Sequence, residues 1–138
     1  MVKSVYINKQ LVKNDSDKLL LISGPCLLEN EKLVRKVATN LLKYTKKNNF
    51  NFVFKCSFDK ANRSSHKTVR NKISIDKSIE ILKNLKKDLN IPITTDVHET
   101  NQIDIFGDLI DIIQIPAFLC RQTDLIKAAA QTKKVVNV

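Results

Sequence analysis

Apolar positions along this chain alternate between compact strand-like runs and stripes at helical spacing, and that alternation sets the expected architecture. The runs at 19–23 and 50–54 carry apolar and β-branched residues without alternating polar partners, as a parallel strand covered on both faces requires. Residues 93–97 form a third strand; 109–115 form a fourth, interrupted by Asp111 and ended by Pro116; 135–138 begin a fifth. Between them, Leu33, Val34, Val37, Ala38, Leu41 and Leu42 line one face of a helix that Asn30 caps. Ile75, Ile79, Leu82, Leu85 and Leu89 do the same over 74–89, and Asn90-Ile91-Pro92 ends that helix. A short helix over 100–106 stops at Gly107, and Thr123 caps a fourth that runs through Ala130. Ahead of all this, 4–7 and 10–12 alternate in the manner of a small hairpin turning at Asn8-Lys9, within an amino-terminal unit of 1–18.

Strands that alternate with helices demand a parallel sheet with right-handed crossovers. A five-stranded doubly wound sheet fits the length but needs a helix after its last strand, and none is encoded. A barrel of eight βα units needs about 250 residues. The expectation is therefore an α/β fold, the first five strands of a partial (β/α)8 TIM barrel over 19–138, preceded by the hairpin, as one truncated domain over 1–138.

Composition narrows the function classes. The 138 residues are 43% apolar, enough for a core, and carry a formal charge of +10. Such a charge invites nucleic acid, yet the lysines are scattered, tryptophan is absent and aromatics are 6%, so a solvated basic surface is expected and no nucleic-acid partner. Cys26, Cys56 and Cys120 are widely separated and form no CxxC pair, which fits reduced thiols in a cytoplasmic protein. No run is long and apolar enough for a signal peptide or a membrane span.

The chemistry concentrates in the loop after the second barrel strand, KCSFDKANRSS at 55–65. Two lysines, an arginine and several hydroxyls at the carboxyl end of a buried strand are suited to phosphorylated ligands, because Arg grips an oxyanion through two bonds and Lys supplies a point charge. Polar residues also gather at the other strand ends: Cys26, TDVHE at 95–99, and the stretch from Gln114 to Arg121.

KCSFDKANRSS, TDVHE and the longer word IIQIPAFLCRQTDL at 112–125, in this order and at these separations, resemble the 3-deoxy-D-manno-octulosonate 8-phosphate synthase family. The resemblance covers about 20–138. It implies condensation of phosphoenolpyruvate with arabinose 5-phosphate in a homo-oligomeric barrel enzyme. It also implies roles for particular residues. Lys55, Ser57 and Lys60 would hold phosphoenolpyruvate, with Lys60 nearest the reacting carbons. Asn62, Arg63 and Ser64 would hold the pentose phosphate, Arg63 on its phosphate. Asp96 would order water or a sugar hydroxyl, and Gln114, the amide of Ala117 and Arg121 would face ligand. Gly24-Pro25-Cys26 resembles the members that need a divalent metal such as zinc, iron or manganese, with Cys26 as one ligand and the remaining ligands in later strands.

His98 is expected to be a hydrogen-bonded structural residue, Cys56 and Cys120 packing residues, and His66 a surface residue. The family continues past Val138 with further phosphoenolpyruvate-gripping residues, so the 138 residues alone are expected to be inactive and to self-associate through open sheet edges. Two alternatives stand beside this reading: the related 3-deoxy-heptulosonate 7-phosphate synthase, which uses erythrose 4-phosphate, and a basic binding module without catalysis.

Overall fold

The computed structural model describes residues 4–13, 16–61, 70 and 73–138. Its elements are β1 (Val5–Ile7), β2 (Gln10–Val12), β3 (Leu20–Ser23), α1 (Glu31–Lys47), β4 (Asn51–Lys55), α2 (Ile75–Leu89), β5 (Ile93–Asp96), α3 (Thr100–Phe106), β6 (Ile112–Gln114), α4 (Thr123–Gln131) and β7 (Val135–Asn137), with a 3₁₀ turn at Ala117–Leu119. Strands β3 to β7 form one parallel sheet in strict chain order, and β1 pairs antiparallel with β2. Sequential order excludes the doubly wound alternative, in which the first strand lies inside the sheet. The sheet is the first five strands of a (β/α)8 barrel.

Local chemistry explains most element boundaries. In the hairpin turn Asn8 and Lys9 both lie in the left-handed region, at φ 42° and 69°, the backbone that a two-residue turn between twisted strands requires. Helix α1 starts where Asn30 Oδ1 accepts the Leu33 amide at 2.9 Å, with Glu31 in its first turn and Lys46 and Lys47 in its last, favourable to the helix dipole. Ser74 Oγ caps α2 by accepting the Lys77 amide, and Asn90 ends it in the left-handed conformation, φ 49°.

Several expectations need correction. Leu33 is 38% exposed, whereas Thr45 is buried with its hydroxyl donating to the Leu42 carbonyl at 3.1 Å. Ile81 joins Leu82 and Leu85 in the buried face of α2, a face wider than the stripe read from spacing. Thr123 is the first helical residue of α4 and makes no capping bond. Gly107 stays right-handed, and its lack of a side chain serves a close approach: a Cβ there would stand 2.6 Å from the Ile103 carbonyl oxygen. Strand β6 is shorter than 109–115, because the amides of Leu109 and Ile110 turn back to the Phe106 carbonyl. Asp111 lies just before β6, and its amide donates to the Ile93 carbonyl at 2.8 Å. Its carboxylate accepts the Ile93 amide at 2.8 Å and the Lys86 ammonium at 2.9 Å, pinning the start of β5.

Two apolar clusters result. The larger lies between sheet and helices and includes Phe52, Phe54, Leu82, Ile93, Phe106 and Ile113. The smaller lies on the opposite face, where Ile7 of the hairpin is buried against Val53 and Ile112, with Leu20, Ile22 and Val135 around them. The hairpin thus covers the amino-terminal end of the inner face. Among the described residues no helix is long and apolar enough to cross a membrane.

Candidate active site

Register places the inward-facing side chains. Lys55, Thr94, Ile112 and Val135 stand in one row across the sheet, and Asp96, Gln114 and Asn137 stand in the next row toward the carboxyl ends. Beyond Lys55 the chain alternates once more. Cys56 is buried in the outer core with its amide bonded to the Thr94 carbonyl, and Ser57 follows, tied by its carbonyl to the Leu28 amide at 2.8 Å. The loop leaving β3 can reach that position because of Gly24: a Cβ on this residue would lie 1.9 Å from the Lys55 carbonyl oxygen, so only glycine allows the two backbones to meet.

Lys55, Lys60 and Asp96, all expected in a site, gather around Ser57. Lys55 Nζ donates to Ser57 Oγ at 2.9 Å and to Asp96 Oδ1 at 3.2 Å, and Lys60 Nζ donates to Ser57 Oγ at 2.8 Å. His98 Nε2 lies 3.4 Å from the other carboxylate oxygen, Asp96 Oδ2. Burial alone would raise the Asp96 pKa. The hydrogen bonds from His98 and Ser57 and the charges of Lys55 and Lys60 outweigh it, so the carboxyl sits well below its usual range and stays ionised at neutral pH. The result is a buried carboxylate with two ammonium groups held around one hydroxyl. Such a pocket of positive charge, backed by a fixed negative group, suits an anionic ligand that can displace the lysines' mutual contact at Ser57.

His98 is set between aromatic rings, edge-on to Phe58 and stacked on Phe118, and its Nδ1 is buried with no hydrogen-bond partner among the described residues. The partner of this histidine, expected to be hydrogen-bonded, is Asp96. Asn137, not singled out from the sequence, continues the polar row, its amide donating to Gln114 Oε1 at 3.3 Å. Both could have been found by carrying period-two alternation from the strand ends into the following residues.

The other candidates divide. Gln114 is on the inner face beside Asp96. Ala117 opens the 3₁₀ turn and Arg121 lies just after it, both exposed at the rim; no ion pair joins Arg121 to Asp124. Asn62, Arg63, Ser64 and His66 lie outside the described residues. Cys56 is buried, which pushes its thiol up to about 12, but Cys120 is exposed, which corrects its expected packing role. Cys26 is exposed on the β3 loop. Among the described residues no three His, Cys, Asp or Glu groups converge as a metal centre, so Cys26 supplies at most one thiolate and these residues do not by themselves make a metal site.

A sequence model of the DAHP synthetase I family matches residues 4–138. The chain belongs to the DAHP synthetase I family. Its curated relatives include proteins named 2-dehydro-3-deoxyphosphooctonate aldolase. That of Rickettsia typhi is 46% identical over 138 residues, which is 100% of this chain and 50% of the relative. That of Campylobacter jejuni subsp. doylei is 46% identical over 121 residues, 88% of this chain and 45% of the relative. That of Desulfotalea psychrophila is 49% identical over 120 residues, 87% of this chain and 42% of the relative. The chain spans about half the length of these relatives. Within the DAHP synthetase I family match lie the Lys55, Ser57, Lys60 and Asp96 cluster and all five strands that carry the inner face.

Proposed function

We propose that this chain forms the substrate-binding half of a cytoplasmic, homo-oligomeric synthase that condenses phosphoenolpyruvate with arabinose 5-phosphate to 3-deoxy-D-manno-octulosonate 8-phosphate and inorganic phosphate. The observation that carries the reading is the convergence of Lys55, Ser57, Lys60 and Asp96 where the strands end. In a parallel α/β barrel that end is where chemistry takes place.

In the proposed reaction, C3 of phosphoenolpyruvate bonds to the aldehyde carbon, and the aldehyde oxygen gains the electron pair and a proton. Water adds at C2. The C2–O bond to phosphate then breaks, and C2 becomes a ketone as phosphate leaves. Lys55 and Ser57 hold phosphoenolpyruvate, and Lys60, which reaches the same hydroxyl from the other side, faces the reacting carbons and stabilises charge that develops there. Asp96, kept ionised by its neighbours, orders the attacking water or a sugar hydroxyl. Gln114, the Ala117 amide and Arg121 extend the binding surface toward the rim, and Asn62, Arg63 and Ser64 take the pentose phosphate. A divalent metal enters this reading only through Cys26 as one of several ligands, the others coming from outside these residues, and no step is assigned to it.

A second reading, a heptulosonate synthase that takes erythrose 4-phosphate, is compatible with the family's description, while the relatives' names favour the first. One assay separates the two. Residues 1–138 are joined to the remaining half of the Rickettsia typhi relative, and phosphate release from phosphoenolpyruvate is followed with each sugar. Release that depends on arabinose 5-phosphate is expected. Release driven by erythrose 4-phosphate, or by neither sugar, would overturn the proposal.

A further inference from the structure

The helices on the outer side of the sheet are unevenly packed. Helix α1 lies against α2 and α3 lies against α4, but between α2 and the seven-residue α3 a groove opens. It holds about 400 Å³, within the range of small-molecule sites. Ile79, Ile105 and Leu109 give it an apolar lining, and Ile105 is 43% exposed. Lys83, Lys86 and Lys87 of α2 stand around that surface, with Asp108 after α3.

Both helices run back against the strands, so the carboxyl ends of α2 and α3 lie beside the starts of β5 and β6. The groove is therefore at the opposite end of the sheet from Ser57 and Lys60. Its lysines are not equivalent. Lys86 Nζ donates to the Leu109 carbonyl at 2.7 Å and to Asp111 Oδ1 at 2.9 Å, so its charge is already used. Lys83 and Lys87 are exposed and pair with no carboxylate among the described residues. They stand four positions apart on one helix, where like charges repel. An anion between them relieves that repulsion, and an apolar body attached to it covers the isoleucines and Leu109. Asp108 is the one carboxylate lining the groove, so the two unpaired ammonium groups leave a positive balance. Inorganic phosphate would use only the charge, and an uncharged hydrocarbon only the apolar lining.

We propose that this groove is a binding site for an amphipathic monocarboxylate, its aliphatic chain on Ile79, Ile105 and Leu109 and its carboxylate between Lys83 and Lys87. The site uses none of the residues assigned to the reaction under Proposed function, and its occupancy is read without turnover.

The test uses the joined protein and decanoate, below the concentration at which it forms micelles, in a calorimetric titration. Saturable binding of one equivalent is expected. Lys83→Glu/Lys87→Glu should weaken it at least about tenfold, and 1-decanol should bind the parent at least about tenfold more weakly than decanoate does. Thermal melts show whether the double variant keeps the parent's fold. A second measurement needs no variant: decanoate should slow acetylation of Lys83 and Lys87 in the parent at least about threefold, read by peptide mass spectrometry, while the exposed Lys43 and Lys127 react as before. Absence of saturable binding, equal binding of decanol, undiminished affinity in a folded double variant, or protection spread evenly over all lysines would overturn the site. Lys83 and Lys87 already protected without ligand, and released on dilution, would make the groove a contact between copies of this chain and would overturn it too.

Discussion

The two ends of the inner face of the half-barrel are made from the same five strands and differ in almost every other respect. Toward the amino-terminal ends of the strands the face is apolar, Leu20, Ile22, Val53, Ile112 and Val135, and the hairpin presses Ile7 into it. Two residues further along the same strands it becomes polar, with Lys55, Asp96, Gln114 and Asn137, and Ser57 and Lys60 just beyond. Charged groups occur at both ends but are used differently. At the start of β5, Asp111 is satisfied by Lys86 and a backbone amide, so its charge is spent on holding the turn. At the other end, Lys55 and Lys60 converge on one hydroxyl and have donors to spare for a ligand. The contrast separates residues that hold the barrel together from those proposed to act on a ligand.

Changing Lys60 should break the contrast most sharply. In the joined protein Lys60→Ala is expected to lower kcat by about 10²- to 10³-fold, the scale seen when one stabilising donor is removed, with a melting temperature close to the parent's. Steady-state kinetics beside a thermal melt measures both. A variant that melts early and keeps its turnover would place Lys60 with the structural residues instead.

Ile7→Ala is the mirror experiment. Emptying that buried position should cost about 2–4 kcal/mol of stability, read from urea unfolding, while kcat per folded molecule stays near the parent value. A selective loss of turnover would show that the two ends are not separable.

Acid sharpens the comparison further. The Asp96 carboxyl is held below its ordinary value of 3.8 in the folded chain. The stabilisation it provides is therefore complete above about pH 4 and is lost as pH falls through the lower folded pKa. Asp96→Asn should be less stable than the parent at neutral pH, and the gap should close below about pH 4 in unfolding curves taken across that range. A gap that persists unchanged at low pH would contradict the ionised assignment.

The smallest effect concerns the thiols. Alkylation of the folded protein should modify Cys26 and Cys120 and leave Cys56, buried and with its thiol at about 12, untouched until unfolding, as a mass spectrum of tryptic peptides would show.

Much of this contrast was legible in the sequence, and the exceptions have physical causes. Unbroken runs such as 50–54 located the strands, and the polar words at their ends pointed to the candidate site, because a strand buried on both faces leaves few other places for charge. Asn30 and Asn90 marked helix ends through local hydrogen bonding and a left-handed backbone, both short-range effects. What the sequence did not yield depends on contacts between distant residues. Asp111 reads as a flaw in a strand until Lys86 and Ile93 are seen around it. His98 reads as a hydrogen-bonded residue, but its partner, Asp96, is seen only once β5 and its loop bring the two together. Arg70 is one basic residue among many until its guanidinium is found on the Asp59 carboxylate.

The central claim is that the polar end of the inner face binds phosphoenolpyruvate, and a crystal structure of the joined protein with that ligand tests it most directly. The account predicts the phosphate and carboxylate within hydrogen-bond distance of Lys55 Nζ, Lys60 Nζ and Ser57 Oγ, with Asp96 Oδ2 still facing His98. Ligand density elsewhere, with the lysines still closed on Ser57, would contradict it.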